Sequence, residues 1–262
     1  MKFVDVHVHL SDPDYETQID KVVEDAERSN VIALVSNSMN LQTSLESIKL
    51  AERYPKLVYA ALGIHPWNVR ELLPDELERT LDLIVNHKAH ERIVAIGEIG
   101  LDYKYVKGEK QDFLTKQYEV FVEMLQLGEK LSLPMIIHSR GTTSEIFDML
   151  SSYNIEKVLL HWFSGPIGLL PKIVDRGYYV TEGPPTIYSS HIQDIVRRVP
   201  ITNLLTETDG PVRFFRPPFK GKTTLPSHIS LVVEAISKIK NKGKEEIAEQ
   251  IYQNFTTFFG ID

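Results

Sequence analysis

The sequence predicts an α/β protein, a TIM-type (β/α)8 barrel with its chemistry at the C-terminal mouth, and three observations carry that prediction. Eight short apolar runs alternate with segments of helical periodicity over 262 residues, the pattern of a parallel sheet wrapped by helices. The runs are continuously apolar, as strands buried on both faces must be. Side chains able to bind a metal ion follow one run after another, and barrel enzymes keep their chemistry at those strand ends.

The elements follow in order. Phe3, Val4, Val6 and Val8 open the chain as a strand with high β preference. His7 and His9, two apart, share one face of it. Asp12-Pro13-Asp14 is a turn signal placed to cap a helix, and Ile19, Val22, Val23 and Ala26 recur at helical spacing. Further strands are expected at 31–35, 57–62, 93–96, 135–137, 157–160, 178–180 and 204–206. The helices between them are expected at 41–53, 72–86, 109–130, 144–150, 167–174 and 191–199, with 227–238 and 244–252 closing the chain. Pro74 is read as an early helical residue. The Pro-, Gly- and Arg/Lys-rich stretch 213–224 is the longest expected loop. No repeat or linker interrupts the pattern, so residues 1–262 read as one domain.

Composition narrows the class. Charged residues at 25% and hydrophobic ones at 42% are those of a soluble globular chain. No apolar run approaches the ~20 residues that span a bilayer, and no signal peptide is expected at the N-terminus. Without any cysteine, disulfides and thiolate ligands are excluded, and a reducing, cytoplasmic location is expected. A net charge of −7 argues against coating long nucleic acid by charge alone, although a local basic mouth remains compatible with it.

The strand-end residues are His7 and His9, His65, Glu98, His138, His161 and Asp209. Any one alone reads as an ordinary loop histidine or a capping carboxylate. Seven at converging strand ends, in a chain with nine histidines, read as a metal site. Imidazole mixed with carboxylate suits Zn, Mn, Ni or Co, and Mg less well. His87, His90 and His191 are read as structural.

The motifs Asp-Val-His-Val-His (5–9), Gly-Ile-His-Pro (63–66), Ala-Ile-Gly-Glu-Ile-Gly-Leu-Asp-Tyr (95–103), Pro-Met-Ile-Ile-His-Ser-Arg (134–140), His-Trp-Phe-Ser-Gly (161–165) and Glu-Thr-Asp-Gly-Pro (207–211) span the chain. Together they resemble the TatD family of metal-dependent hydrolases, within the amidohydrolase-like barrels. Asn254 with Phe258-Phe259 resembles that family's closing segment. The resemblance implies two divalent ions, one on His7, His9 and Asp209, the other on His138 and His161, with Glu98 bridging. It also implies that His65 lies beside the scissile phosphate. Asp209 is then the expected general base and His65 a hydrogen-bond or proton donor. Arg140 is expected to orient a phosphate or to sit in a structural ion pair. Tyr103 and Trp162 are expected either to stack on a base or to pack the mouth.

One stretch departs from the family. Where an Arg-Asn-Glu-Pro-like segment is usual, residues 222–228 read Lys-Thr-Thr-Leu-Pro-Ser-His, and His228 is the substitute contact considered. The expected activity is a phosphodiesterase on DNA ends or a small phosphodiester, gripping few phosphates through Arg140, Arg213, Arg216, Lys220 and Lys222. The alternative is hydrolysis of a C–N, ester or lactone bond, which fold and ligands alone do not separate.

Overall fold

The computed structural model describes residues 1–104 and 111–261. Its eight strands are β1 (Phe3–Val8), β2 (Val31–Asn37), β3 (Val58–Leu62), β4 (Ile93–Gly100), β5 (Met135–His138), β6 (Val158–Leu160), β7 (Tyr179–Glu182) and β8 (Leu204–Thr206). They form one parallel sheet in chain order. Three of the bonds across the seam between β8 and β1 end on main-chain carbonyls. Thr206 Oγ1 donates to Val4 O (2.8 Å), Asp209 N–H to His7 O (2.9 Å) and His9 N–H to Gly210 O (2.8 Å). The last two pull the β8 loop onto the β1 histidines, so the seam and the site share the same residues.

Around the sheet lie α1 (Pro13–Glu16), α2 (Ile19–Arg28), α3 (Leu41–Arg53), α4 (Glu76–His87), α5 (Gln111–Leu131), α6 (Thr143–Met149), α7 (Leu170–Asp175), α8 (Ser190–Arg198), α9 (Ile229–Lys240) and α10 (Lys244–Phe259). Asp12 caps α1 by accepting the Asp14 N–H (2.8 Å), and Asn40 caps α3 by accepting the Thr43 N–H (2.9 Å). Val22, Val23 and Ala26 of α2, and Val232, Val233 and Ile236 of α9, are buried against the sheet. Each large aliphatic side chain so placed contributes about 1.5–3 kcal/mol.

Several boundaries differ from the sequence expectation. The helix expected from 72 begins at Glu76, and Pro74 precedes it. The Glu76 carboxylate instead accepts the Leu41 and Leu73 N–H groups (3.3 and 3.2 Å). The expected start of α5 at Glu109 lies outside the described residues. Residues 167–169 and 226–228 are 3-10 turns leading into α7 and α9. Strand β4 runs to Gly100, so Glu98 stands within a strand and not after one. The last helix continues past 252 to Phe259 because Phe255 and Phe258 extend its buried stripe. On it, Asn254 Nδ2 donates to Ile201 O and Leu204 O (2.6 and 2.7 Å), pinning the final helix to the start of β8.

Gly100 sets how closely β4 and β5 meet. Its φ is +147°, and a Cβ there would fall 2.0 Å from His138 O. A side chain at this position would force apart the strands that carry Glu98 and His138.

Candidate metal centre

All seven strand-end residues converge at the C-terminal mouth, and all are buried. Glu98 is the centre. Its Oε2 lies 3.2 Å from His7 Nε2 and 3.5 Å from His9 Nε2. Asp209 Oδ1 stands 3.6 and 3.5 Å from the same two nitrogens. The other oxygen, Oε1, lies 2.7 Å from His138 Nδ1, 3.0 Å from His161 Nε2 and 3.3 Å from His65 Nε2. The His7 and His161 rings stack at 3.8 Å between the two groups.

Three of the rings are oriented from behind. His9 Nδ1 meets Asn37 O at 2.9 Å, which puts a proton on Nδ1 and aims Nε2 inward at Glu98 and Asp209. His138 Nε2 meets Asp102 Oδ2 at 2.7 Å, and His161 Nδ1 meets Glu207 Oε2 at 3.3 Å. Carboxylates behind histidines are the usual means of fixing a metal-binding ring. Thr181 Oγ1 donates to the same Glu207 oxygen. His65 differs, because its Nδ1 accepts the Trp67 N–H at 3.1 Å. A neutral His65 therefore carries its proton on Nε2, facing Glu98.

Charge follows from these contacts. Burial together with the neighbouring His161 pushes His7 down to about 3, so this ring is neutral at ordinary pH. Burial opposes charge on His9, but Asp209 and Glu98 outweigh it and raise the ring to about 9. Burial likewise opposes charge on His138 and His161, yet both are raised, by Asp102 and Glu98 and by Glu98 and Glu207 respectively. Glu98 is held well below the usual carboxylate range despite its burial, because imidazoles surround it. His65 is lowered, chiefly by burial.

The donors suit a divalent ion. Both ring nitrogens of His7 are buried and have no hydrogen-bond partner among the described residues, a costly state for a polar group without an electrophile beside it. Among the described residues three groupings have ligand atoms within 4.8 Å of one another: His7, His161 and Asp209; His7, His9 and Glu98; His65, Glu98 and His138. Asp209 has a left-handed backbone, φ 51°, a conformation aspartate tolerates better than most residues. Its N–H bond to His7 O holds it there.

Arg140 Nε donates to Asp102 Oδ2 at 2.8 Å, so the ion pair considered for it is present. Tyr103 is exposed and its hydroxyl donates to Glu145, a bond that, with burial, pushes the phenol up to about 12. It lines a cleft of about 500 Å³ with Gly141, Glu145, Ser164 and His191. Trp162 is half-buried and packs against Phe214, ring centres 5.4 Å apart. His228 Nδ1 accepts the Leu225 N–H (3.1 Å) and its ring lies on Phe219, so it closes a turn rather than facing the centre. His87 and His191 engage main-chain carbonyls, and His90 accepts the Arg92 N–H.

Four residues that orient the centre stand outside the set expected from sequence: Asp5, Asn37, Asp102 and Glu207. Asp5 and Glu207 stand two before His7 and Asp209, so strand alternation alone could have placed them on the same faces. Asp5 accepts the Thr208 N–H (3.0 Å) and hydroxyl (2.5 Å) across the seam. Asn37 and Asp102 gave no such signal, because their partners come from other strands.

The family described as TatD related DNase matches residues 4–260. The human protein named deoxyribonuclease TATDN3 is 34% identical, over 98% of this chain and 94% of its own. An uncharacterized metal-dependent hydrolase of Methanocaldococcus jannaschii is 32% identical over 99% and 97%. The crystal structure of YjjV, a TatD homologue from Escherichia coli, superposes with a TM-score of 0.90 at 26% identity, covering 99% of this chain and 98% of that one.

Proposed function

The chain belongs to the TatD-related DNase family of metal-dependent hydrolases, and on that premise we propose that it is a two-metal phosphodiesterase acting on DNA ends. The observation that carries the reading is the division of donors by Glu98, whose two oxygens face different histidine groups. His7, His9 and Asp209 would hold one ion, His138 and His161 the other, and Glu98 would bridge. The set suits Zn, Mn, Ni or Co, and admits Mg. Bound there, divalent ions polarise a phosphoryl oxygen and lower the pKa of a water.

The protein's own groups then move the protons. Asp209, beside His7 and His9, takes the proton of the attacking water. The water oxygen bonds to phosphorus as the bond to the leaving sugar oxygen breaks. His65, with its proton on Nε2, gives that proton to the leaving oxygen. Arg140, its guanidinium held by Asp102, orients a phosphate. Tyr103 and Trp162 are proposed as base contacts. On this reading residues 1–262 act as one catalytic domain, and the lack of cysteine supports its placement in the cytoplasm.

The human relative is named a deoxyribonuclease, which favours DNA over a small molecule. Among the described residues no helix is long and apolar enough to cross a membrane. The test is a panel of 3′-ended DNA, bis(4-nitrophenyl) phosphate, a dipeptide and a lactone, offered to protein loaded with each metal. Cleavage of the phosphodiesters is expected. Turnover confined to the dipeptide or lactone would contradict the reading.

A further inference from the structure

The loop after β8 contributes Asp209 and the Gly210 carbonyl to the metal centre and nothing beyond them. Between Asp209 and Glu234 the chain carries no acidic side chain, although the whole protein is acidic at −7. Within that span stand Arg213, Arg216, Lys220 and Lys222. Arg213 pairs with Asp14 at 3.0 Å. Arg216, Lys220 and Lys222 have no carboxylate partner among the described residues. A basic loop on an acidic protein points to an anion held locally.

The loop also displays an aromatic ring. Phe215 is 89% exposed, against 44% for Trp67 and 39% for Tyr103. A single exposed apolar side chain is ordinary on a protein surface, so its neighbours decide what it means. Phe214, next to it, is buried and packs on Trp162 (5.4 Å) and Phe219 (6.0 Å), and Phe219 packs on His228 (5.5 Å). Trp162 directly follows His161. This row of rings anchors the loop to the mouth, with Phe215 at its outer surface. Bonds from Phe219 N–H and Lys220 N–H to Arg216 O (3.1 and 3.0 Å), and from Lys222 N–H to Phe219 O (2.9 Å), brace it. Pro217 and Pro218 stiffen the tip further. A ring presented on a braced support loses little freedom when it binds.

We infer that Phe215, flanked by Arg213 and Arg216, is a stacking platform for one base of a single-stranded polynucleotide whose end lies in the metal centre. The inference rests on the phosphodiesterase reading and adds a subsite to it. A duplex offers no free base face at such a platform, so the strand must be unpaired there. Arg216, Lys220 and Lys222 supply cations for the phosphates on either side of that base.

The test is steady-state kinetics of the metal-loaded protein on a twelve-nucleotide single strand, with abasic residues placed one position at a time. In the native protein one position should stand out, where loss of the base raises KM. Phe215→Ala should raise KM on the intact strand about 5- to 150-fold, the range of one base–aromatic stack, with kcat retained. It should also erase the penalty at that abasic position, while Phe215→Trp should restore both. Equal KM for native protein and Phe215→Ala, or an abasic penalty that survives the substitution, would overturn the inference while leaving the phosphodiesterase intact. Native protein that cleaves neither the strand nor bis(4-nitrophenyl) phosphate would instead overturn the phosphodiesterase reading, and this subsite with it. Vesicles containing phosphatidylserine complete the design. Phe215-dependent sedimentation with them, alongside unaltered KM on the strand, would assign the loop to a membrane and refute the platform.

Discussion

The two sides of Glu98 are built differently. On the Oε2 side, His7 and His9 stand two apart on one strand, and Asp209 is drawn onto them by the main-chain bonds of the seam. His9 is backed by a peptide carbonyl, and the ring nitrogens of His7 have no hydrogen-bond partner among the described residues. On the Oε1 side, His138 and His161 come from separate strands, and each is backed by a buried carboxylate, Asp102 or Glu207. Main-chain bonds hold the ligands of the first side directly. The second depends on side chains that substitution can remove, so the two sides should respond differently to mutation.

The largest effect is expected where the sides meet. Glu98→Ala should lose both ions and bring phosphodiester hydrolysis to background. Elemental analysis of metal-loaded protein reads the first, and retention of two tightly held ions would break the bridge assignment. Next comes His65→Ala. Its ring presents a proton to the centre, so metal content should stay at two while kcat falls about 10²–10⁴-fold. Loss of metal in that variant would make His65 a ligand.

The comparison is sharpened by Asp102→Asn and Glu207→Gln. Removing a carboxylate behind a metal-binding histidine typically costs about 10–100-fold in metal affinity or activity. The loss should fall on one of the two ions, leaving the His7–His9 ion at native affinity. Competition titration with a chelating dye resolves the two. Equal weakening of both would show that the sides are not independent.

These differences also explain what was legible in the sequence. His7 and His9 could be paired by strand periodicity, and Glu98, His138, His161 and Asp209 by their places after apolar runs. Asp102 could not be assigned as a support for His138, because the two are 36 residues apart and only the pairing of β4 with β5 brings them together. The extension of β4 through Glu98 was missed for a related reason. Its polar residue is buried at the mouth, where local hydropathy reads it as a strand end. The helix starting at Glu76 was placed too early because 72–75 carry apolar and proline signals that serve a turn.

A smaller effect follows from protonation. His9 stands near 9 without metal, and His138 and His161 are also raised. An ion must displace these protons, so affinity should rise with pH by about tenfold per unit for each proton displaced. For the His7–His9 ion the rise should flatten above about pH 9. His7, already neutral, adds nothing to the slope. Isothermal titration in buffers of different ionisation enthalpy counts the protons released.

The smallest effect belongs to Asp5 at the seam. Burial raises its carboxyl from the ordinary 3.8 to about 8, against the hydrogen bonds from Thr208. The folded state therefore binds a proton that the unfolded chain releases. That contribution to stability is complete below about pH 4 and is lost as pH rises through about 8. Denaturation of chelator-treated protein at pH 6 and pH 9 should show the decline, and Asp5→Asn should flatten it.

The most direct test of the central claim, that Glu98 joins two unlike donor groups, is an anomalous-scattering crystal structure of the protein loaded with Zn or Mn. The account predicts two ions, one on Glu98 Oε2 with His7, His9 and Asp209, the other on Oε1 with His138 and His161. His65 should bind neither, and its Nδ1 should still accept the Trp67 N–H. A single ion on His7 and His9, with His138 and His161 bound only to Asp102 and Glu207, would contradict it.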